Sequence, residues 1–183
     1  MRVIAGVAKG TRLAPAPAGV RPLTDRARAG LFSSIAREIT EAAVLDLYAG
    51  TGALAIEALS RGAERATLVE RDAAAIRAIR ANLSATKLAT SARVVRADVA
   101  RFVRGNDNRS GPFDLAFVDP PWDLGAEVLG RVLGDLEGSG LLGEAFTLAL
   151  CRRARNPMDV IPVHWRVARR LVYGDGLVTL YRR

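Results

Sequence analysis

The tetrapeptide Asp119-Pro120-Pro121-Trp122 directly follows an apolar run, Phe113-Asp114-Leu115-Ala116-Phe117-Val118, that reads as a buried strand. Two prolines suffice to end a strand, but they do not account for a carboxylate and a large aromatic on either side of them. The set fits a planar amine as reactant. The lone pair of such a nitrogen is delocalised into its ring and attacks poorly. A carboxylate acceptor, Asp119, and a backbone carbonyl, that of Pro120, could each bind one N–H and stabilise positive charge as it develops. Pro120 and Pro121 stiffen the loop and fix where those acceptors point. Trp122 offers a flat face on which a base can stack, a contact worth about 1–3 kcal/mol. Such a site works mainly by alignment, so Asp119 need not be a strong base.

A second candidate lies upstream, in Asp46-Leu47-Tyr48-Ala49-Gly50-Thr51-Gly52-Ala53. Two glycines between a strand and a helix allow a tight turn and close approach of a ligand to the backbone. The pattern Gly50-x-Gly52-x-x-Ala55, with Glu70 about 20 residues on, also fits a dinucleotide site. Asp46 tilts the choice. A pyrophosphate is repelled by a carboxylate inside the strand, whereas S-adenosylmethionine carries an ammonium and a sulfonium and no phosphate. Glu70 ends the second strand and could accept both ribose hydroxyls. Asp98, after the third, could accept from the adenine amino group, although the same residue type is also a plain helix N-cap. Tyr48, Ala49, Arg71 and Val99 flank these acids, and with Asp119 they complete the expected donor pocket.

These residues need a scaffold that brings strand ends together. The middle of the chain supplies one by alternation. Strands are expected at 44–48, 66–70, 92–96, 113–118 and 146–150, and helices at 53–60, 73–83 and 125–136, with a polar turn at 106–112. This pattern implies right-handed βαβ units in a largely parallel sheet with helices on both faces, an α/β fold of the Rossmann-like type. Ligands then sit at the carboxyl ends of the strands. A helix is predicted from Thr24 to about Ile39, with Ala27, Leu31, Ile35 and Ile39 on one face. Alternation around 165–167 and 177–180 suggests a closing hairpin, and Val3–Ala5 with Thr11–Leu13 suggests a small opening one. The prolines at 15, 17 and 22 mark an irregular link. The expected division is a basic extension over 1–23 and a single domain over 24–183.

The 183 residues, half hydrophobic and a quarter charged, suit one globular domain. Cys151 stands alone, so there is no intrachain disulfide, and no cysteine–histidine cluster suggests a metal. The opening residues lack the apolar run of a signal peptide and no stretch is long enough to span a bilayer, which points to the cytoplasm and away from membranes. The net charge of +8 is segregated. Residues 1–40 carry seven basic and two acidic residues, residues 41–150 twelve and fifteen, and residues 151–183 eight and two. Basic ends around a slightly acidic middle suit a chain that grips a polyanion. His164 has no partner at suggestive spacing and is given no role.

Asp-Pro-Pro-aromatic after the fourth strand resembles the amino-methyltransferases of nucleic acids. Met1-Arg2-Val3-Ile4-Ala5-Gly6, Arg21-Pro22-Leu23-Thr24-Asp25-Arg26-Ala27-Arg28, Leu31-Phe32, Ala53-Leu54 and Glu57-Ala58-Leu59-Ser60-Arg61-Gly62 are similar to the bacterial RsmD family. The resemblance implies a class I methyltransferase with a seven-stranded sheet and a small N-terminal extension. It implies methyl transfer from S-adenosylmethionine to N2 of a guanine in 16S ribosomal RNA, with S-adenosylhomocysteine as product and no metal. The substrate would be the small ribosomal subunit or an assembly intermediate, and a monomer is the default. RNA contact is expected from Lys9, Arg12, Arg21, Thr24, Asp25, Arg26 and Arg28. The chain departs from the family at Ala29, where Glu is usual, at Trp122, where Phe or Tyr is usual, and at Cys151-Arg152, where many members carry an acid. Other readings are a DNA adenine or protein glutamine methyltransferase, a non-catalytic ribosome-assembly module, and an NAD oxidoreductase. The first lacks room for a target-reading domain and the glutamine enzymes usually show Asn at position 119. The assembly module leaves the intact motifs unexplained, and the oxidoreductase leaves 119–122 unused.

Overall fold

The computed structural model describes residues 1–15, 23–105, 111–154 and 161–183. Its centre is a seven-stranded sheet with order β3-β2-β1-β4-β5-β7-β6. The strands are β1 (Ala43–Leu47), β2 (Arg65–Glu70), β3 (Ala92–Arg96), β4 (Phe113–Val118), β5 (Leu142–Arg153), β6 (Arg166–Tyr173) and β7 (Gly176–Arg182). The first five run parallel, β7 is antiparallel to β5, and β6 is antiparallel to β7. β1 is buried along its whole length, which is why Ala43-Val44-Leu45-Asp46-Leu47 is nearly all apolar. The chain leaves β1 toward β2 and β3, then returns to place β4 on the other side of β1. That reversal opens a crevice at the carboxyl ends of β1 and β4.

Side-chain alternation divides the core into two layers. On one face Val44, Leu68, Leu115, Phe117, Ala149 and Leu180 pack with helices α1 (Asp25–Ser34), α2 (Ala53–Ser60) and α3 (Ala73–Thr86). On the other, Leu45, Leu47, Val69, Val118, Leu148 and Leu150 pack with α4 (Val99–Arg104) and α5 (Ala126–Gly138). The same alternation places Asp46, inside β1 just before Leu47, with Glu70 at the end of β2 and Asp119 just after β4, on the α1–α3 side.

The helix predicted over 24–39 is split. α1 ends at Ser34, and a short 3-10 turn, Ala36–Glu38, follows. α4 was missed, because six residues offer too little periodicity to be read. The closing hairpin is present and longer than expected, as β6 and β7. The opening hairpin is present as a short pairing, with an antiparallel bridge between Arg2 and Arg12 and bonds from Val3 N to the Thr11 carbonyl and from Leu13 N to the Met1 carbonyl. Most of the polar turn and of the proline link lies outside the described residues.

The N-terminal segment is anchored rather than loose. Ile4 and Ala5 donate their backbone N–H groups to the Glu57 carboxylate at 2.7 and 3.0 Å. Ser60 Oγ accepts from Ala8 N and donates to the Ala5 carbonyl. Gly6 sits at φ +82°, and a Cβ there would fall 1.6 Å from the Ser60 carbonyl oxygen. Only glycine permits that approach. Asn82 ties the segment to the glycine loop, accepting from Ala14 N and donating to the Thr51 carbonyl.

Candidate functional site

The glycine loop turns through left-handed conformations at Tyr48, Gly50 and Gly52, with φ of 60°, 56° and 75°. Gly52 starts α2 without a side-chain cap. Its missing Cβ is used for packing, since one would lie 2.9 Å from Leu68 Cδ2. Asp46, 1 % exposed, accepts from Ala55 N at 3.1 Å, which satisfies a first-turn donor of α2 from inside the fold. Burial raises its pKa well above the ordinary carboxylate range against the pull of that bond, and the charges of Asp119 and Glu70 push it further.

Glu70 is busier than the sequence suggests. One carboxylate oxygen accepts from Gly50 N at 2.9 Å, the other from Arg71 N and Asp72 N at 2.7 and 2.9 Å. A carboxylate has about four acceptor positions, so three are used in holding the loops. Asp98 caps α4 by accepting from Arg101 N at 3.2 Å, and it forms an exposed ion pair with Arg71 at 3.6 Å. The cap reading of Asp98 holds, and its other oxygen faces Arg71. Val99 turns its side chain into the lower core. Tyr48 is half-buried, and burial followed by the Asp98 charge lifts its hydroxyl to about 12, with Arg71 opposing. Ala49 is anchored by its N–H to the Val69 carbonyl.

Asp119 leaves β4 still paired, donating its N–H to the Leu47 carbonyl at 3.3 Å. Burial holds its carboxyl up to about 7. Pro120 is buried, Pro121 is exposed and its carbonyl accepts from Leu124 N, and Trp122 is half-buried. The Arg153 guanidinium lies 5.3 Å from the Trp122 ring centroid, and Arg152 donates to the Leu124 carbonyl at 3.1 Å. The end of β5 thus braces the proline loop. Cys151 is buried on the same side of the sheet, and burial, then Asp119 and Asp46, push its thiol upward.

The crevice therefore gathers three carboxyls, Asp46 buried and Glu70 and Asp119 partly exposed, and the charges of the latter two repel that of Asp46. A cationic ligand relieves that strain, and the ammonium and sulfonium of a methyl donor supply the needed sign. No group of His, Cys, Asp and Glu among the described residues is arranged to hold a metal.

The residues expected to meet RNA divide. Lys9, Arg12 and Arg26 are exposed, and Arg21 lies outside the described residues. Thr24 caps α1 through Ala27 N. Arg28 corrects the expectation of a solvent-facing contact: it is 1 % exposed. It donates to the Arg2 carbonyl at 2.7 Å and to Asp25 at 2.8 Å, joining α1 to the N-terminal segment. Asp25, half exposed, is the acidic partner in that tie. The sequence signal for this was the apolar setting of Arg28 between Ala27 and Leu31, both of which are buried. Glu57 carried the same kind of signal, as a lone charge in a buried apolar helix.

A topological switch point that gathers Asp46, Glu70 and an Asp-Pro-Pro-Trp loop defines a Rossmann-like methyltransferase architecture. A family model described as Conserved hypothetical protein 95 matches residues 1–182, and the chain belongs to that family, the RsmD family of the sequence reading. It is 36 % identical over 184 residues to the ribosomal RNA small subunit methyltransferase D of Escherichia coli K12, covering 100 % of this chain and 90 % of that one. The solved Escherichia coli protein yhhF superposes with a TM-score of 0.87 at 37 % identity, over 100 % of this chain and 97 % of that chain. The structure of SMU.776 complexed with S-adenosylhomocysteine shares the fold alone, at 14 % identity and a TM-score of 0.69, over 83 % of this chain and 49 % of that one.

Proposed function

We propose that the protein methylates the exocyclic N2 amine of a guanine in 16S ribosomal RNA, within the small subunit or a precursor of it. The observation that carries this reading is the Asp119 carboxyl at the end of β4, its backbone held to Leu47 and followed by two prolines, beside buried Asp46. The full-length likeness to small subunit methyltransferase D supports the RNA substrate. Bound S-adenosylmethionine supplies an electrophilic methyl group and leaves as S-adenosylhomocysteine. Asp46 and Glu70 lend negative charge to the donor pocket, and Asp98 with Tyr48 frames its rim. Asp119 and the Pro120 carbonyl take one amine N–H each, and Trp122 stacks the base. The amine loses its proton readily after transfer, and a carboxyl near 7 can receive it. No metal is required, a monomer suffices, and a ribosomal substrate sets the reaction in the cytoplasm. No helix among the described residues is long and apolar enough to cross a membrane.

The test is methyl transfer from labelled S-adenosylmethionine to small subunits lacking the modification, with genomic DNA and total protein as parallel acceptors. N2-methylguanine in the small-subunit RNA is the expected product. Label confined to DNA or protein would overturn the substrate assignment.

Donor binding should depend on pH in a definite direction. Below about 7 the free protein holds Asp119 protonated, and one negative charge facing the cationic donor is lost. Donor Kd should therefore rise as pH falls from 8 to 6, with a limiting slope of about tenfold per pH unit for one linked proton. Asp119→Asn should flatten the part centred near 7. Calorimetric titration across that range measures both, and a flat profile in the parent protein would remove Asp119 from the donor's surroundings.

A further inference from the structure

We propose that the exposed edge strand β6, with Arg166 and Arg169 toward the α1 side of the sheet and Arg170 toward the other, is a phosphate-binding edge and that the RNA enters the site from this side. The inference rests on the RNA-methylating reading above and adds to it a surface and a direction of approach.

The two basic ends of the sequence meet here. α1 packs against β6. The contact is close at Gly30, where a Cβ would fall 1.6 Å from the Tyr173 hydroxyl oxygen. Arg169 reaches Ser34 Oγ at 3.3 Å. Arg169 lies on the α1 side of β6, and Arg170, the next residue, on the opposite side of the same open edge. Arg166, Arg169 and Arg170 are all exposed, and none pairs with a carboxylate among the described residues. Arg166 also stands directly across from Arg182, an unfavourable like-charge pair. Arg182 is relieved by Glu38, whereas Arg166 has no carboxylate partner among the described residues.

A charged edge strand is a common guard against edge-to-edge association. One inward or edge charge does that work. Three exposed arginines along one edge, none with a carboxylate partner among the described residues, match a polyanion better. Register ties the edge to the site. Arg170 pairs with Thr179, Thr179 with Leu150, and Leu150 with Val118, the residue before Asp119. Arg170 thus lies level with the end of β4, three strand spacings or about 14 Å away. The donor-side acids occupy the β1–β2–β3 half. The β4–β5–β7–β6 half carries the Asp119–Trp122 loop, and β6 is the open edge of that half.

The test compares the triple variant Arg166→Gln, Arg169→Gln, Arg170→Gln with a control, Arg77→Gln, Arg80→Gln, on exposed positions of α3. Binding to deproteinised 16S RNA is measured across a salt series, with methylation kinetics on unmodified small subunits and donor binding alongside. Single-strand phosphate contacts contribute about 0.7 each to the log–log salt slope. The triple variant should lower the slope by about 2 and raise KM for the particle at least about tenfold, leaving kcat and donor Kd within about twofold; the control should match the parent. A triple variant with parental slope and KM overturns the inference while the methylating reading stands. Loss of particle binding with an unchanged slope on naked RNA also overturns it, since the edge would then be docking a protein. A parent protein that labels no RNA removes the reading and the inference together.

Discussion

Asp119→Asn should lower kcat for methyl transfer by about a thousandfold, and Asp119→Ala should abolish transfer, with donor Kd within about tenfold in both. The magnitude follows from what removal of one preorganised polar group costs when it faces charge developing in the transition state. The Asp119 carboxylate is preorganised in that sense. Its backbone is held to Leu47 across the sheet, and two prolines follow it. Asn keeps the size and one acceptor oxygen but gives up the charge, and its amide can rotate an N–H toward the amine. Donor binding survives because Asp46 and Glu70 keep two carboxyls in the pocket. Stopped-flow transfer with separate donor titration distinguishes the two effects. If donor binding collapses and the chemical step does not, Asp119 belongs to the donor and the amine needs another acceptor.

The sequence made this site legible for a physical reason. Asp46, Glu70 and Asp119 each interrupt or end an apolar strand, where a carboxylate is costly unless it has work to do, and parallel strands deliver their ends to one crevice. β1, β2, β4 and the second half of β5 were readable because burial on both faces demands apolar runs, whereas the edge strand β3 showed only through its β-branched pair Val94-Val95. What stayed hidden was whatever depends on contacts between distant segments. Arg28 reads as a surface cation in a basic motif, yet it is buried against the Arg2 carbonyl. Glu70 reads as a ribose acceptor, yet three loop N–H groups already use it. Gly52 reads as room for a ligand, yet Leu68 fills that room. The arginines of β6 became meaningful only when α1 was found beside them. Composition announced the two basic ends, and only topology could join them.

The buried carboxylate that the chemistry does not use carries the second large expectation. Glu57 is 0 % exposed and receives three donors: Ile4 N on one oxygen, Ala5 N and Arg61 Nε on the other. Every neighbour donates, so even the isosteric Gln must point an N–H₂ group at another donor. Each buried donor left unsatisfied costs about 1–3 kcal/mol. Glu57→Gln should therefore destabilise the protein by about 3 kcal/mol, and in a domain of this size the melting temperature should fall by about 6–12 °C. The loss should be local in origin. The partners of Glu57 lie on the N-terminal segment, whose other end is bonded through Asn82 to the loop at Thr51. Protease cleavage within residues 1–15 should accelerate before the core unfolds, and donor affinity should weaken as the Thr51 loop loses its brace. A double-mutant cycle settles the attribution. In a chain lacking residues 1–14, Glu57→Gln should cost less than about 1 kcal/mol, because the donors it disappoints are gone. An undiminished cost there would mean that Glu57 stabilises α2 itself, through Arg61, and that the segment is held by Ser60 and the close approach at Gly6.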